Sequence, residues 1–425
     1  MSPDEGASWA AASAPTVAQV IARQPALNPG ELPIHDLLLH GWIALFGSSL
    51  TAMRALSAAL GVASILLVYL VTSELFASQS DDARLIAGLA ALVFAVNLVT
   101  IKYSREARMY PLMLAAILAQ VTMFLRALRV GGFANWAAVV VLTALAIGSN
   151  LTAVLIPTTE GFWLAYIFVR RDNATARRVL NIAVALAAGG LILVPKLFSS
   201  LHAASAGIVG EWRKLPAWYE PLALFNKATG SFAFPILAAL AIWGAVRGWR
   251  RGAREAVAFA MLWMWAPPLL MLFASYAIAP VFVERYALSC FVPFFILVAL
   301  GIFELPGDLV RLAALALTIA FSIGHIVVYD RKPHDAQYRE AIAAADSALK
   351  PGEAMTVVPA YAIQVLRYYL PPDQQDRAVR FDRSAPPVAV LILGNQNTAP
   401  GAAQSYRNEY PQVVARLRGV TVLRR

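Results

Sequence analysis

Three short clusters hold the residues of this 425-residue chain whose types could do chemistry. Asp4 and Glu5 follow Ser2 and Pro3, and a carboxylate can take a proton from a hydroxyl. A plainer role competes, because a carboxylate at a helix start is stabilised by the helix dipole by about 0.3–1 kcal/mol. The second cluster, Lys102-Tyr103-Ser104-Arg105-Glu106-Ala107-Arg108-Met109-Tyr110-Pro111, joins two apolar runs. Guanidinium forks match phosphate oxygens, so Arg105 and Arg108, with Lys102 and Tyr110, form a candidate anion site. Snorkelling cations with interfacial aromatics are the structural alternative. The third cluster, Pro280-Val281-Phe282-Val283-Glu284-Arg285-Tyr286, sets an arginine and a tyrosine at the mouth of another apolar run. One acidic and two basic clusters suit a sugar carried on a lipid phosphate. The leaving phosphate needs cations, and the acceptor hydroxyl needs a base on the opposite face of the sugar.

Those clusters sit in a chain that is 59% hydrophobic and 14% charged, with a mean hydropathy of +0.63, whereas soluble domains carry about 25% charged residues. The solvent for most of the chain is therefore lipid. The formal net charge of +10 does not point to nucleic acid, because arginines gather in short loops: Arg170, Arg171, Arg177 and Arg178, then Arg247, Arg250, Arg251 and Arg254. That is the positive-inside signature of cytoplasmic loops. The single cysteine, Cys290, lies in an apolar run, so neither an intrachain disulfide nor a Cys-rich metal site is expected. No basic and apolar leader opens the chain, so no signal peptide is expected.

A spanning helix needs about 20 mainly apolar residues, and the runs that qualify give about ten transmembrane helices. They cover residues 50–75, 85–101, 111–128, 180–201, 232–246, 256–278, 286–302 and 309–328, with 136–169 divided near Ser149 and Asn150 to match the bilayer. With the arginine loops inside, alternation puts residues 1–49, 102–110, 201–230, 280–285 and the tail outside. Residues 1–49 read as amphipathic surface helices, 7–23 and 37–46, around a turn-rich break at 25–31. Residues 50–330 form the transmembrane domain, and 331–425 a small soluble α/β domain. In that tail the pattern predicts helix 337–349, strand 354–359, helix 361–369, strand 388–393, helix 402–417 and strand 420–423. The alternation suggests a three-layer unit with a parallel sheet.

The 103–111 run, the stretch Leu37-Leu38-Leu39-His40-Gly41-Trp42 leading through Phe46 and Gly47 to Arg54, and the 282–286 element resemble the GT-C membrane glycosyltransferases, the broad group of the protein O-mannosyltransferases and the bacterial aminoarabinose transferase. The motif order matches as well. The resemblance implies an all-α polytopic GT-C-like membrane protein with a small C-terminal α/β extracytoplasmic domain. It implies inverting transfer from a polyprenyl-phosphate-linked sugar donor to a hydroxyl acceptor, on a lipid, an envelope glycan or a protein. The expected location is a bacterial inner membrane, with the site facing outward. In that family an Asp-Glu motif in the first outer loop supplies the base, which makes Asp4 the base here and Glu5 a supporting acid. The family's lipid-phosphate arginine falls on Arg105 or Arg108, with Arg105 preferred on its position in the motif. Arg285 is carried over as a second phosphate or donor contact, and Lys102 and Tyr110 complete the set. The chain departs from the pattern twice. Family members carry a transmembrane helix ahead of the acidic motif, where this chain has Met1, Ser2 and Pro3; and their His-Pro-Pro-Leu-Tyr-Tyr stretch is replaced by Glu31-Leu32-Pro33-Ile34-His35-Asp36.

Glu31, His35 and Asp36 leave a divalent metal open as a cofactor, but their spacing matches no standard site and no metal ligand is assigned. Glu160 and His325 lie within apolar runs, where ionisable groups are functional candidates. Pairing with a neighbouring helix accounts for either, so both stay outside the site. Trp212, Trp218 and Tyr219 suit stacking on a sugar or anchoring at the interface. The expected partners are the lipid-linked donor, a hydroxyl acceptor and membrane lipids, without nucleic acid. Competing readings are a transporter or lipid flippase, and an inactive scaffold on the same fold. Prolines and charges at the outer mouths, rather than helix breaks at midplane, favour the surface-facing enzyme.

Overall fold

Long apolar runs punctuated by arginine- or proline-bearing turns have one open-chain solution in lipid, the helix, because each segment must satisfy its own backbone N–H and C=O groups. The computed structural model describes residues 1–28, 31–79, 82–170, 173–191, 194, 215–331, 336–380, 388–394, 398 and 400–425. The chain folds as two units, Gly30–His35 with Arg54–Arg331, and Met1–Pro29 with Asp36–Met53 and Lys332–Arg425. In chain order the helices begin with α1 (Pro3–Ala12), α2 (Val17–Leu27) and α3 (Ile34–Phe46). The bundle follows as α4 (Leu50–Leu75), α5 (Asp82–Ala95), α6 (Leu98–Ser104), α7 (Tyr110–Val130), α8 (Phe133–Ser149), α9 (Leu155–Arg170), α10 (Asn173–Leu191), α11 (Glu220–Thr229), α12 (Phe234–Arg250), α13 (Arg254–Ala277), α14 (Phe291–Phe303) and α15 (Asp308–Asp330). The tail adds α16 (Tyr338–Ala348), β1 (Ala354–Val358), α17 (Ile363–Tyr369), β2 (Val388–Gly394), α18 (Pro400–Glu409), β3 (Gln412–Leu417) and β4 (Val420–Arg424).

This is a multi-pass membrane protein. Among the described residues, six helical stretches are long and apolar enough to cross a membrane, or eight if each bent pair, α5 with α6 at 62° and α11 with α12 at 109°, is one span. The expectation of about ten also counted α8, which has 17 residues, and the run 180–201, part of which lies outside the described residues. The break at Ser149 and Asn150 is as expected: Asn150 adopts an extended backbone, and its Oδ1 accepts the Thr152 N–H at 2.9 Å. Every residue of α14 is buried, so this helix is the core of the bundle. Glycine lets α12 reach it, since a Cβ on Gly301 would collide with the Leu240 carbonyl and one on Gly244 with that of Leu297. Such small-residue contacts bring helix backbones together where lipid offers no hydrophobic driving force. Glu160 is buried against Gln120, whose Nε2 donates to its Oε2 at 2.8 Å, which is the helix pairing named above.

The second unit combines α1 and α2 with the tail. The run 7–23, expected as one helix, is two, because Pro15 and the Thr16 cap interrupt it; Thr16 Oγ1 accepts the Gln19 N–H at 3.3 Å. Gly6 of α1 meets α17, where an added Cβ would lie 3.1 Å from Val365 Cγ2. Trp9 packs edge-on to Tyr368 with ring centroids 5.2 Å apart. The sheet has the order β1-β2-β4-β3. It is mixed rather than parallel: β1 and β2 are parallel, and the other two pairs antiparallel. The reason lies in the expected helix 402–417, which stops at Glu409 before Pro411. A proline inside a helix loses one hydrogen bond and clashes with the preceding turn. Gln412–Leu417 then becomes a strand, which turns at Gly419 (φ +76) and pairs with β4 as a hairpin. Both faces of β2 are buried: Leu391 and Leu393 meet Tyr410, Tyr406 and Ala403, while Val390 and Ile392 face the other way.

Candidate active site

In the helical unit, local capping brings the basic segment into place. Asn97 breaks the path between α5 and α6 with an extended backbone, and its Oδ1 accepts the Val99 N–H at 2.9 Å. The resulting bend swings α6 toward α4, where Gly61 makes room for Ser104: a Cβ there would collide with the Ser104 hydroxyl. Pro111 then opens α7, since its missing N–H costs nothing in a first turn. On the other side, Ser275 Oγ accepts the Val281 N–H at 3.1 Å, and a 3-10 turn, Glu284–Cys290, leads into α14.

The two motifs meet. Tyr103 donates to Glu284 Oε1 at 3.2 Å, and Lys102 Nζ stands 3.5 Å from the same oxygen and 4.7 Å from the Tyr103 ring centroid. Tyr110 packs edge-on against Tyr103 with centroids 5.7 Å apart. The Arg285 guanidinium lies 5.6 Å from the Tyr110 ring and 5.8 Å from that of Tyr286. Lys102, Tyr110 and Arg285 are thus brought together, with Tyr110, 1% exposed, as an aromatic wedge between the motifs. Cations over ring faces gain about 0.5–2 kcal/mol and are fixed in position. Two cations set around Tyr110 can hold phosphate oxygens and stabilise charge growing on them.

The other two arginines differ: Arg108, with Glu31, lies close enough for its charge to act on Tyr110 as that of Arg285 does, whereas Arg105 is engaged elsewhere. Arg105 pairs with Asp330 at 2.8 Å, its side chain 60% exposed. Arg108 pairs with Glu31 at 3.1 Å with its side chain only 7% exposed. Glu31 and Asp330, as partners of the arginines, were not legible in the sequence, nor was Glu284 as the bridge between motifs. The only available signal was that each carboxylate lies beside a helix end, which holds for many surface acids.

Asp4 and Glu5 belong to the other unit, in the first turn of α1. Ser2 and Glu5 form a capping box: Glu5 Oε2 accepts the Ser2 N–H at 2.9 Å and Ser2 Oγ accepts the Glu5 N–H at 3.2 Å. Glu5 is 1% exposed and so acts as a helix cap, while Asp4 beside it is half-buried. Among the described residues no three His, Cys, Asp or Glu side chains gather to hold a metal, Glu31, His35 and Asp36 included. Asp36 instead accepts from Asn28 Nδ2 at 3.2 Å. Trp218 and Tyr219 are exposed and pack edge-on at 5.8 Å, whereas Trp212 lies outside the described residues.

A helical membrane bundle with a small C-terminal sheet is an ArnT-like GT-C fold. Residues 28–201 match the model of the family described as dolichyl-phosphate-mannose-protein mannosyltransferase. No curated relative matches by sequence. Among solved structures the chain is similar to ArnT from Cupriavidus metallidurans in the apo state, with a TM-score of 0.61 and 13% identity over 99% of this chain and 93% of that one. The same enzyme bound to undecaprenyl phosphate gives a TM-score of 0.60 at 13% identity, with the same coverage of both chains, 99% and 93%. The archaeal oligosaccharyltransferase AglB from Archaeoglobus fulgidus, in complex with an inhibitory peptide and a dolichol-phosphate, gives 0.55 at 11% identity over 86% of this chain and 61% of that one.

Proposed function

We propose that this chain is an inverting glycosyltransferase that takes a sugar from a polyprenyl-phosphate donor and passes it to an acceptor hydroxyl on the outer face of a bacterial inner membrane. The observation that carries the reading is the meeting of Lys102, Tyr103, Tyr110, Glu284 and Arg285, in a chain whose fold is that of proteins solved with undecaprenyl phosphate and dolichol-phosphate. As the acceptor oxygen bonds to the anomeric carbon, Asp4 takes the hydroxyl proton. The bond from that carbon to the phosphate oxygen breaks on the opposite face, and its electron pair leaves with the polyprenyl phosphate. Lys102 and Arg285 stabilise the negative charge gained there, with Arg105 or Arg108 as the further lipid-phosphate contact. Glu5 supports the base by fixing the first turn of α1 through its capping box.

The test is transfer of radiolabelled sugar from a panel of polyprenyl-phosphate donors to native membrane lipids and glycans, with purified wild type beside Asp4→Asn. Transfer by wild type that is lost in the variant, with donor affinity retained, supports the reading, because the substitution removes the base and not the phosphate site. Full activity in Asp4→Asn overturns the base, and no transfer from any donor overturns the enzyme class in favour of a transporter or an inactive scaffold.

A further inference from the structure

The unit built from the chain's first segments and its tail contains a cleft of about 780 Å³ whose lining includes none of the residues assigned to the reaction above. Small-molecule sites span about 300–1,000 Å³, so the cleft is of ligand size. Its lining is chemically mixed in a specific way. Arg339 and Asp346 stand on α16, and Tyr368 and Tyr369 come from the end of α17. The segment Ser48–Thr51 supplies hydroxyls and the first turn of α4, while Ile342 and Leu370 form a buried apolar floor.

The polar groups differ in how far their neighbours occupy them: the Tyr369 hydroxyl accepts from the Met1 ammonium at 3.0 Å, whereas Arg339 is exposed. Arg377 Nη1 holds Asp346 Oδ1 at 3.2 Å, which orients the carboxylate; among the described residues, no side chain takes its other oxygen. Arg339 makes no ion pair among the described residues. Tyr368 is fixed at both ends: its hydroxyl donates to the Ser48 carbonyl at 3.3 Å, and its ring packs edge-on to Trp9 at 5.2 Å and to Tyr369 at 5.0 Å. At the start of α4, Ser49 Oγ accepts the Ala52 N–H at 3.2 Å. The first N–H groups of that helix, at Leu50 and Thr51, have no intrahelical acceptor and stand at the cleft.

We infer that this cleft binds a saccharide. A sugar presents dense hydroxyls, each both donor and acceptor, around a ring with apolar C–H faces. The cleft answers with a carboxylate acceptor, a guanidinium fork, backbone and hydroxyl donors, and rigid tyrosine rings over an apolar floor. A purely apolar ligand would make no use of Arg339 and Asp346, and a simple anion would not use the rings. On the glycosyltransferase reading, and only there, the bound saccharide is the acceptor or the part of it remote from the reacting hydroxyl.

The experiment is retention of the purified full chain on a printed array of envelope and eukaryotic glycans, in an amine-oxide detergent so that no detergent sugar competes. The expected result is retention on a defined glycan class, lowered at least tenfold in Arg339→Gln and in Asp346→Asn. Arg416→Gln, an exposed arginine of β3 outside the cleft, should leave retention unchanged, and thermal melting checks that each variant is folded. A blank array, or equal retention by folded variants, overturns the inference. Release by inorganic phosphate as effective as release by the free sugar also overturns it, as a plain anion site. Glycan retention without any sugar transfer would sink the glycosyltransferase reading and leave the cleft standing; transfer with a blank array would do the reverse.

Discussion

The phenol of Tyr103 donates to Glu284 Oε1 at 3.2 Å, joining two motifs that lie 181 residues apart in the chain. Hydrogen bonds to charged groups contribute about 1.5–3 kcal/mol, and this one also orders Glu284 for Lys102. Tyr103→Phe should therefore lower the melting temperature and raise the donor KM severalfold, with a smaller change in kcat. A donor titration with unchanged KM would detach the Glu284 bridge from the donor site.

Arg105 and Arg108 separate by their burial. Arg105→Ala removes an exposed pair with Asp330 and should cost about 0–1 kcal/mol of stability. Arg108→Ala takes the counter-charge from Glu31 in a nearly buried pair and should cost up to about 3–5 kcal/mol. Thermal melting of both variants, beside donor binding, tells a phosphate ligand from a structural clamp. Weakened donor binding at unchanged stability in Arg105→Ala supports its assignment, and unchanged affinity moves the site to Arg108 or Arg285.

Gly301→Ala should destabilise the bundle by about 1–3 kcal/mol or more, since overpacking forces backbone shifts and the new methyl would strike the Leu240 carbonyl. Gly88→Ala on α5, where a Cβ meets nothing within 4 Å, is the control. Equal melting of the two variants would contradict the close approach of α12 and α14.

Acid should loosen the small sheet. The Glu353 carboxyl is held below its usual range first by the Lys350 N–H, at 2.7 Å, and then by Arg424, whose Nη2 reaches both its oxygens at 2.9 and 2.8 Å. A lowered folded pKa gives stability that is fully present above the unfolded value of about 4.3 and is lost as pH falls through the folded one. Protection of the β4 amides, taken relative to the intrinsic exchange rate at each pH, should fall on that descent, and Glu353→Gln should show lower protection above it and none of the change across it. A pH response in Glu353→Gln matching wild type would assign the acid limb to another group.

Periodicity and hydropathy settled most of the helices, the break at Ser149 and Asn150, and, to within one residue, the strands expected at 354–359 and 388–393, because each is fixed by residues close in sequence. Composition likewise settled the membrane class, since so few charges leave no other solvent. The motifs themselves, Lys102 to Pro111 and Glu284 to Tyr286, were readable as chemistry-bearing segments. Their meeting was not. Whether Tyr103 reaches Glu284, whether Arg108 is clamped by Glu31 while Arg105 stands exposed, and whether Gly244 and Gly301 touch depend on helix packing between distant segments, which no local pattern encodes. The split of 7–23 and the strand after Pro411 show the same limit at short range, where a single proline overrules an apolar period. Sequence alone determined which residues could act; tertiary packing decided which of them share a charge, because burial and counter-ions are set by neighbours in space.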